Sequence, residues 1–188
     1  LTHKHKDHIG GIDDVRALNF VDYPQIHTVN IYATADTIDC VRKDYDYAFF
    51  PVRYRGTPEI ALHTIDPEQT FTVDGVEITP IRGRHAHFEV TGYRFGDVAY
   101  MTDFKEIADD EMAKLSGVDV LVVNALRFEP HDSHFCVEDA LRLIERIAPR
   151  EAYLTHMSHE IGLYDQAQSR LPEGVRFAYD GLKIEVKE

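Results

Sequence analysis

The 188-residue sequence predicts a mixed α/β fold, an α+β or layered α/β arrangement with helices packed on an outer face of a mixed sheet. Three observations carry this. Strand-like runs recur along the chain, about ten by alternation and apolar continuity, interleaved with about four or five helical stretches. Asp74-Gly75 and Asp180-Gly181 are two-residue hairpin turn signals. Between residues 137 and 148 the pattern changes to a 3.6-residue period, with Val137, Ala140, Leu141, Ile144, Ile147 and Ala148 on one face.

In chain order, Leu1 to His5 reads as the end of a strand, and IGGIDDVRALNF as a helix entered through a turn at Asp7 and His8. VNIYAT (29–34) is rich in β-branched residues and is the first clear strand. Residues 41–58 form a basic, aromatic insertion in an acidic chain: Arg42, Lys43, Arg53 and Arg55 accompany Tyr45, Tyr47, Phe49, Phe50 and Tyr54. FTVDGVEITPIRG (71–83) is a hairpin around Asp74-Gly75, and VTGYRF with DVAYMT (90–102) gives two further strands. VDVLVVNA (118–125) is another of the clearest strands. The helix over 137–148 follows and Pro149 stops it. EAYLTH (151–156) is a strand, and VRFAYDGLKIEV (175–186) reads as a last hairpin.

Length and composition suit one globular domain over 1–188, with 44% apolar and 28% charged residues. Lys and Arg number 20 against 33 Asp and Glu, a net charge of −13, which repels polyanions and disfavours a long nucleic-acid substrate. A small substrate is favoured. Cys40 and Cys136 are the only cysteines, too few for a disulfide framework or a four-thiolate zinc site, and they fit a reducing cytoplasm. No apolar run approaches membrane-spanning length. The chain opens on Leu1 and enters its ligand-rich motif at once, so an N-terminally incomplete domain is expected.

Eleven histidines are present, and His3, His5 and His8 fall together with Asp7 in HxHxDH. Strand alternation would put His3 and His5 on one side, where their imidazoles can share a cation. Asp7 and His8, in the turn that follows, project from another direction and can hold a second ion. A solvated His-rich loop is the plain alternative. Further ligands should come from other strand ends: His85 and His87 after ITPIRGR, Asp103 after DVAYMT, His134 before the best helix, His156 after EAYLT, and His159 beyond it. His27, His63 and His131 lack such a context and read as ordinary residues.

From THKHKDH through RHAHFEVTGYRFGDVAYMTD and NALR to YLTHMSHEIG and AYDGL, the sequence resembles the metallo-β-lactamase superfamily. Within it the chain is most similar to the branch of phosphoribosyl cyclic phosphodiesterases and tRNA 3′-end endonucleases. The resemblance implies an αββα sandwich, here without the strands of the first sheet that precede HxHxDH. It implies His3, His5 and His85 on one ion, Asp7, His8 and His156 on another, and Asp103 bridging them. His85 is favoured over His87 because it stands seven residues before Gly92-Tyr93. His134 matches a non-ligand histidine that serves phosphoester hydrolysis.

Such a nitrogen and oxygen set suits two divalent ions, Zn²⁺ or Mn²⁺, about 3.5–4 Å apart, with a shared hydroxide as nucleophile. Asp7 would orient that hydroxide and His134 would protonate the leaving alkoxide. Arg127 could hold a phosphate oxygen, and Ser158 and His159 could bind phosphate or cap a surface helix. The 41–58 segment could be a lid stacking on a base, or a subunit interface of a homodimer. The expected function is a dinuclear metal-dependent phosphodiesterase acting on a small cyclic or nucleotide-like diester. A glyoxalase II-type thioesterase and a non-catalytic metal or nucleotide-binding module are the rival readings.

Overall fold

The computed structural model describes residues 1–51, 54 and 56–186, and its backbone forms two compact units, 1–67 and 68–188. In the first unit the stretch expected to be one helix is three pieces: α1 (Lys6–Ile9), a 3-10 turn (Ile12–Val15) and α2 (Arg16–Asn19). Gly10-Gly11 separates them, since glycine weakens a helix interior by roughly 1 kcal/mol relative to Ala. Leu1 to His5 carries no strand; His5 is extended and serves as the residue from which α1 starts.

β1 (Val29–Ala33) and β2 (Ile60–Thr64) then pair in parallel, Val29 opposite Ile60 and Ala33 opposite Thr64. Parallel neighbours need a long crossover, and α3 (Ala35–Asp44) lies within it. Ile9, Ile12, Ile31, Val41 and Ile60 form the small core. Asn19, fully buried, donates to the carbonyls of His27 (2.7 Å) and Glu59 (2.9 Å) and accepts from the Glu59 amide (3.0 Å), fastening the segments that lead into β1 and β2.

Much of the basic, aromatic stretch is used within this unit. Tyr45 donates its hydroxyl to the Ile9 carbonyl at 2.8 Å, Tyr47 donates to Asp13, and the Arg42 guanidinium lies 5.7 Å from the Phe49 ring centre. Phe50 and Tyr54 are exposed. Val52, Arg53 and Arg55 lie outside the described residues.

The second unit is a seven-stranded sheet in chain order: β3 (Phe71–Val73), β4 (Val76–His85), β5 (Phe88–Phe95), β6 (Val98–Met101), β7 (Val120–Asn124), β8 (Glu151–Thr155) and β9 (Val175–Phe177). The first three pairings are antiparallel and the last three parallel. Therefore β4, β6, β7, β8 and β9 all run the same way, and their C-terminal ends share one edge of the sheet. The first hairpin turns at Asp74-Gly75 as the sequence predicts, with positive φ at both residues (50° and 84°), the geometry that matches strand twist.

The parallel crossovers carry α4 (Asp109–Ala113), α5 (Val137–Ile147) and α6 (Tyr164–Gln168). α5 is the helix predicted over 137–148, and it buries Val137, Ala140 and Leu143. Cys136 stands where a polar cap is usual, and it is buried; Asp139 accepts the Cys136 amide at 3.2 Å and supplies part of the capping from inside the first turn. The last expected hairpin does not form. After β9 the Leu182 amide closes a turn onto the Tyr179 carbonyl at 3.0 Å, and the described residues beyond it make no return strand.

Phe104 is the keystone of this unit's core. Its ring lies against β4 and β5 where both carry glycine: a Cβ at Gly83 would stand 2.1 Å from the ring, and one at Gly92 3.3 Å from it. Its backbone is clasped by Asn124, buried at the end of β7, which accepts the Phe104 amide at 2.8 Å and donates to the Phe104 carbonyl at 3.0 Å. The same carbonyl accepts the Phe135 amide at 2.8 Å. Asp103 and His134, each one residue before a member of this clasp, are thereby fixed in the backbone.

Candidate functional site

In the first unit HxHxDH folds as a loop closed by one helical turn. The amides of His8 and Ile9 both donate to the His5 carbonyl, at 3.0 and 3.1 Å, so His5 and His8 flank a single turn. His3 Nε2 and His5 Nδ1 are 3.0 Å apart, and the His3 and His8 ring centres are 4.3 Å apart. His3 is buried, while the Asp7 carboxylate is exposed, 3.3 Å from His8 Nε2. The His3 and His5 imidazoles do meet, in a segment that bends at Lys4 and forms no strand. His27 bonds to Asp22, and His63 bonds to Asn30 and stacks on Tyr32, so neither joins this group.

In the second unit His85 is the last residue of β4, Asp103 lies two residues past β6, and His156 directly follows β8. All three therefore sit at the shared C-terminal edge, where sheets commonly carry their sites. Asp103 and His156 turn out of the sheet with left-handed backbone, φ 62° and 59°, and Ala86, after His85, has φ 51°. Left-handed backbone in a residue other than glycine costs roughly 1–2 kcal/mol and persists only where the surroundings hold it.

The side chains converge on Asp103. His134 Nε2 is 2.9 Å and His156 Nε2 3.2 Å from Asp103 Oδ1, and Thr102 donates its hydroxyl to Oδ2 at 2.6 Å. His85, Asp103 and His134 each offer one ligand atom within 4.8 Å of the others. His85 Nδ1 donates to the Ser133 carbonyl at 2.7 Å, which leaves Nε2 as the lone-pair nitrogen. His85 is buried and His87 exposed on the adjoining turn. A buried carboxylate, neighbouring imidazoles of which His85 has its lone-pair nitrogen fixed, and no thiolate form a donor set that fits a borderline divalent cation.

Sequence reasoning missed one part of this cluster. His131, read as ordinary, lies 3.3 Å from His134 with Ser133 beside both. Burial and the neighbouring His134 pull the His131 imidazole below its usual pKa. The signal that could have found it is the spacing His131-x-Ser133-His134, three polar groups in one short loop.

The expected phosphate ligands Arg127 and Ser158 have protein partners of their own. Arg127 pairs with Glu160 at 2.7 Å and donates to the Pro130 carbonyl at 3.0 Å, so it braces the loop that leads to His134. Ser158 accepts the Glu160 amide at 3.2 Å as the cap of a 3-10 turn, His159–Ile161, on which His159 is exposed.

Known proteins bear on this arrangement. A model of the beta-lactamase superfamily domain matches residues 1–157. An octanoyltransferase of Porphyromonas gingivalis (strain ATCC BAA-308 / W83) is 33% identical over 189 residues, and this chain spans only 37% of its length. A solved structure described as a new diphosphatase from the PhnP family is 33% identical, with a TM-score of 0.87, covering 99% of this chain and 70% of its own. Human tRNase Z, short form, is 16% identical with a TM-score of 0.69, covering 100% of this chain and 78% of its own, a likeness of fold. The large mixed sheet with its crossover helices is that of the metallo-β-lactamase fold. With most of its length matched and a PhnP-family structure beside it, the chain belongs to the beta-lactamase superfamily domain family.

Proposed function

We propose that the protein is a divalent-metal-dependent phosphodiesterase acting on a small cyclic or nucleotide-like diester. The observation that carries the reading is the set at the sheet edge: His85, Asp103 and His156 presented as ligands, with His134 against Asp103 at 2.9 Å. In this reading His3, His5 and His85 serve one ion, Asp7, His8 and His156 a second, and Asp103 both, with Zn²⁺ or Mn²⁺ as the metal. The bound ions would supply Lewis acidity toward a phosphoryl oxygen.

The chain's own residues would do the rest. His134, with Nε2 against Asp103, would pass a proton from its imidazolium form to a leaving alkoxide and return to the neutral ring. Asp7, an exposed carboxylate at the start of α1, would orient the attacking water. Likeness to a PhnP-family diphosphatase supports phosphoester chemistry, and the charge of −13 supports a small substrate over a long nucleic acid. Cys40 and Cys136 are both free thiols, which supports a cytoplasmic setting. Among the described residues no helix is long and apolar enough to cross a membrane.

The test is hydrolysis by Zn²⁺- or Mn²⁺-loaded protein of bis(p-nitrophenyl) phosphate and a panel of cyclic diesters, with S-lactoylglutathione alongside. Diester cleavage that disappears on chelation is expected, and in His134→Ala the loss should be greatest for poor leaving groups. Cleavage of the thioester alone would replace this reading with the glyoxalase II-type one.

A further inference from the structure

We infer that Ser133, pinned by His131, is a positioning residue that sets the orientation of His85 and His134 together. The inference rests on the proton-donor role proposed above for His134, and its geometry lies wholly within the second unit.

Donor accounting assigns the hydrogens between Ser133 and its neighbouring histidines. The Ser133 amide can only donate, and it points at His131 Nδ1, 3.2 Å away, so that nitrogen carries a lone pair. Asp103 as a carboxylate can only accept, so His134 Nε2, 2.9 Å from it, carries the proton. In a neutral ring His134 Nδ1 is then the acceptor. It lies 2.9 Å from Ser133 Oγ, which donates to it. The Nδ1 atoms of His131 and His134 are 3.3 Å apart, a separation two facing lone pairs tolerate only with hydrogens supplied to both. Ser133 supplies one from its amide and one from its hydroxyl.

The third polar group of the same residue points to the metal ligand. The Ser133 carbonyl accepts His85 Nδ1–H at 2.7 Å, keeping His85 Nε2 unprotonated for a cation. Thus N–H, O–H and C=O of Ser133 each engage a different histidine. Rotation of this one residue would misplace both the ligand and the proton donor. His131 prevents that rotation by holding the amide, with the hydroxyl 3.2 Å from the same Nδ1.

Three variants test the idea in the full chain. Ser133→Ala removes only the hydroxyl. It should keep the metal content and affinity of the wild type and lose about tenfold in turnover of diesters with poor leaving groups, with less loss for good ones, as His134→Ala does. His131→Ala should lose turnover likewise and also bind Zn²⁺ more weakly, because the carbonyl aimed at His85 is no longer steadied. His131→Asn places an amide oxygen where Nδ1 stood, and it should recover most of what His131→Ala loses. Imidazole ¹⁵N spectra give a readout that needs no substrate: neutral His134 should be the Nε2–H form in the wild type and in Ser133→Ala, and its Nδ1 resonance should shift in Ser133→Ala as the hydroxyl hydrogen bond is lost.

Unchanged leaving-group dependence together with an unchanged His134 Nδ1 resonance in Ser133→Ala would overturn the inference. So would His131→Asn behaving like His131→Ala, because acceptance of the Ser133 amide would then not be what His131 provides. If the wild type cleaves no phosphodiester, the functional reading falls, and the ¹⁵N spectra still decide the positioning claim.

Discussion

The first unit holds its histidines with one helical turn, two parallel strands and a small apolar cluster, while the second holds its own with seven strands and a far larger buried core. The difference shows in the backbone. Among the described residues every non-glycine residue with positive φ, namely Asp74, Ala86, Asp103, Ala148 and His156, belongs to the second unit. Strain of this kind needs surroundings that over-determine the chain, and the Phe104 clasp between Asn124, Gly83 and Gly92 provides them beside Asp103. The His3 to His8 loop is built from unstrained turns instead, and a unit with so little buried apolar area is expected to open locally at lower free energy.

The largest effect expected is at Asp103. Asp103→Ala should weaken divalent-ion binding by about 100-fold or more, measured by competition with a chelator, because it would remove a proposed ligand and puts a residue less tolerant of left-handed backbone at φ 62°. Asp103→Asn separates the two causes, since Asn accepts that backbone readily but lacks the charge. Asn binding metal as well as Asp would show that the backbone, and not the carboxylate, is what the position supplies.

A buried carboxylate distinguishes the units next. Glu111 is buried and receives the Arg82 amide (2.8 Å), the Arg82 guanidinium (2.7 Å) and the Lys114 ammonium (2.7 Å). Burial by itself raises its pKa, but the hydrogen bonds from Lys114 and Arg82 outweigh burial and leave it below the ordinary carboxylate range. With the folded-state pKa depressed, the stabilisation is fully present above the unfolded value of about 4.3 and is lost as pH falls through the lower folded value. Glu111→Gln should therefore cost about 2 kcal/mol at neutral pH, reduced from the figure for a fully buried pair because Arg82 is partly exposed, and it should flatten the acid limb of the unfolding curve. In the first unit the Lys4 to Asp36 pair is largely exposed, and Asp36→Asn should leave the unfolding midpoint where it is.

The same contrast decides what the sequence discloses. Features written in local pattern were legible: the α5 stripe, the Asp74-Gly75 hairpin, the apolar run of β7 and the strand ends that carry His85, Asp103 and His156. Their signals are periodicity and turn chemistry, which depend on a few neighbouring residues. Features made by contact between distant segments were not. Asn124 appears in sequence only as a polar residue closing an apolar strand, and its clasp on Phe104 spans 20 residues. Ser133 meets His85 across 48 residues. Arg127 had the right chemistry for a phosphate, yet Glu160, 33 residues on, engages it. The Asp180-Gly181 signal foretold a turn correctly, and no local pattern could tell that the described residues beyond it would make no strand.

The smallest effect tests the comparison most directly. Tyr45 donates its hydroxyl to the Ile9 carbonyl at 2.8 Å, at the C-terminal end of α1, where the last carbonyls of any helix lack partners in the helix itself. Tyr45→Phe keeps the ring packed against the small core and removes that single bond, at a cost of about 1 kcal/mol. If the first unit opens separately, the loss should appear as faster hydrogen exchange at the amides of His8, Ile9 and Gly10, which close the turn on His5 and Lys6. The β7 amides should exchange as in the wild type. Divalent-ion affinity should fall about fivefold, since 1 kcal/mol spent on ordering the His3 to His8 loop is drawn from binding. An equal loss of protection in α1 and β7 would mean that the two units unfold as one, and the contrast between a strained, over-determined half and a loosely held one would then have no energetic meaning.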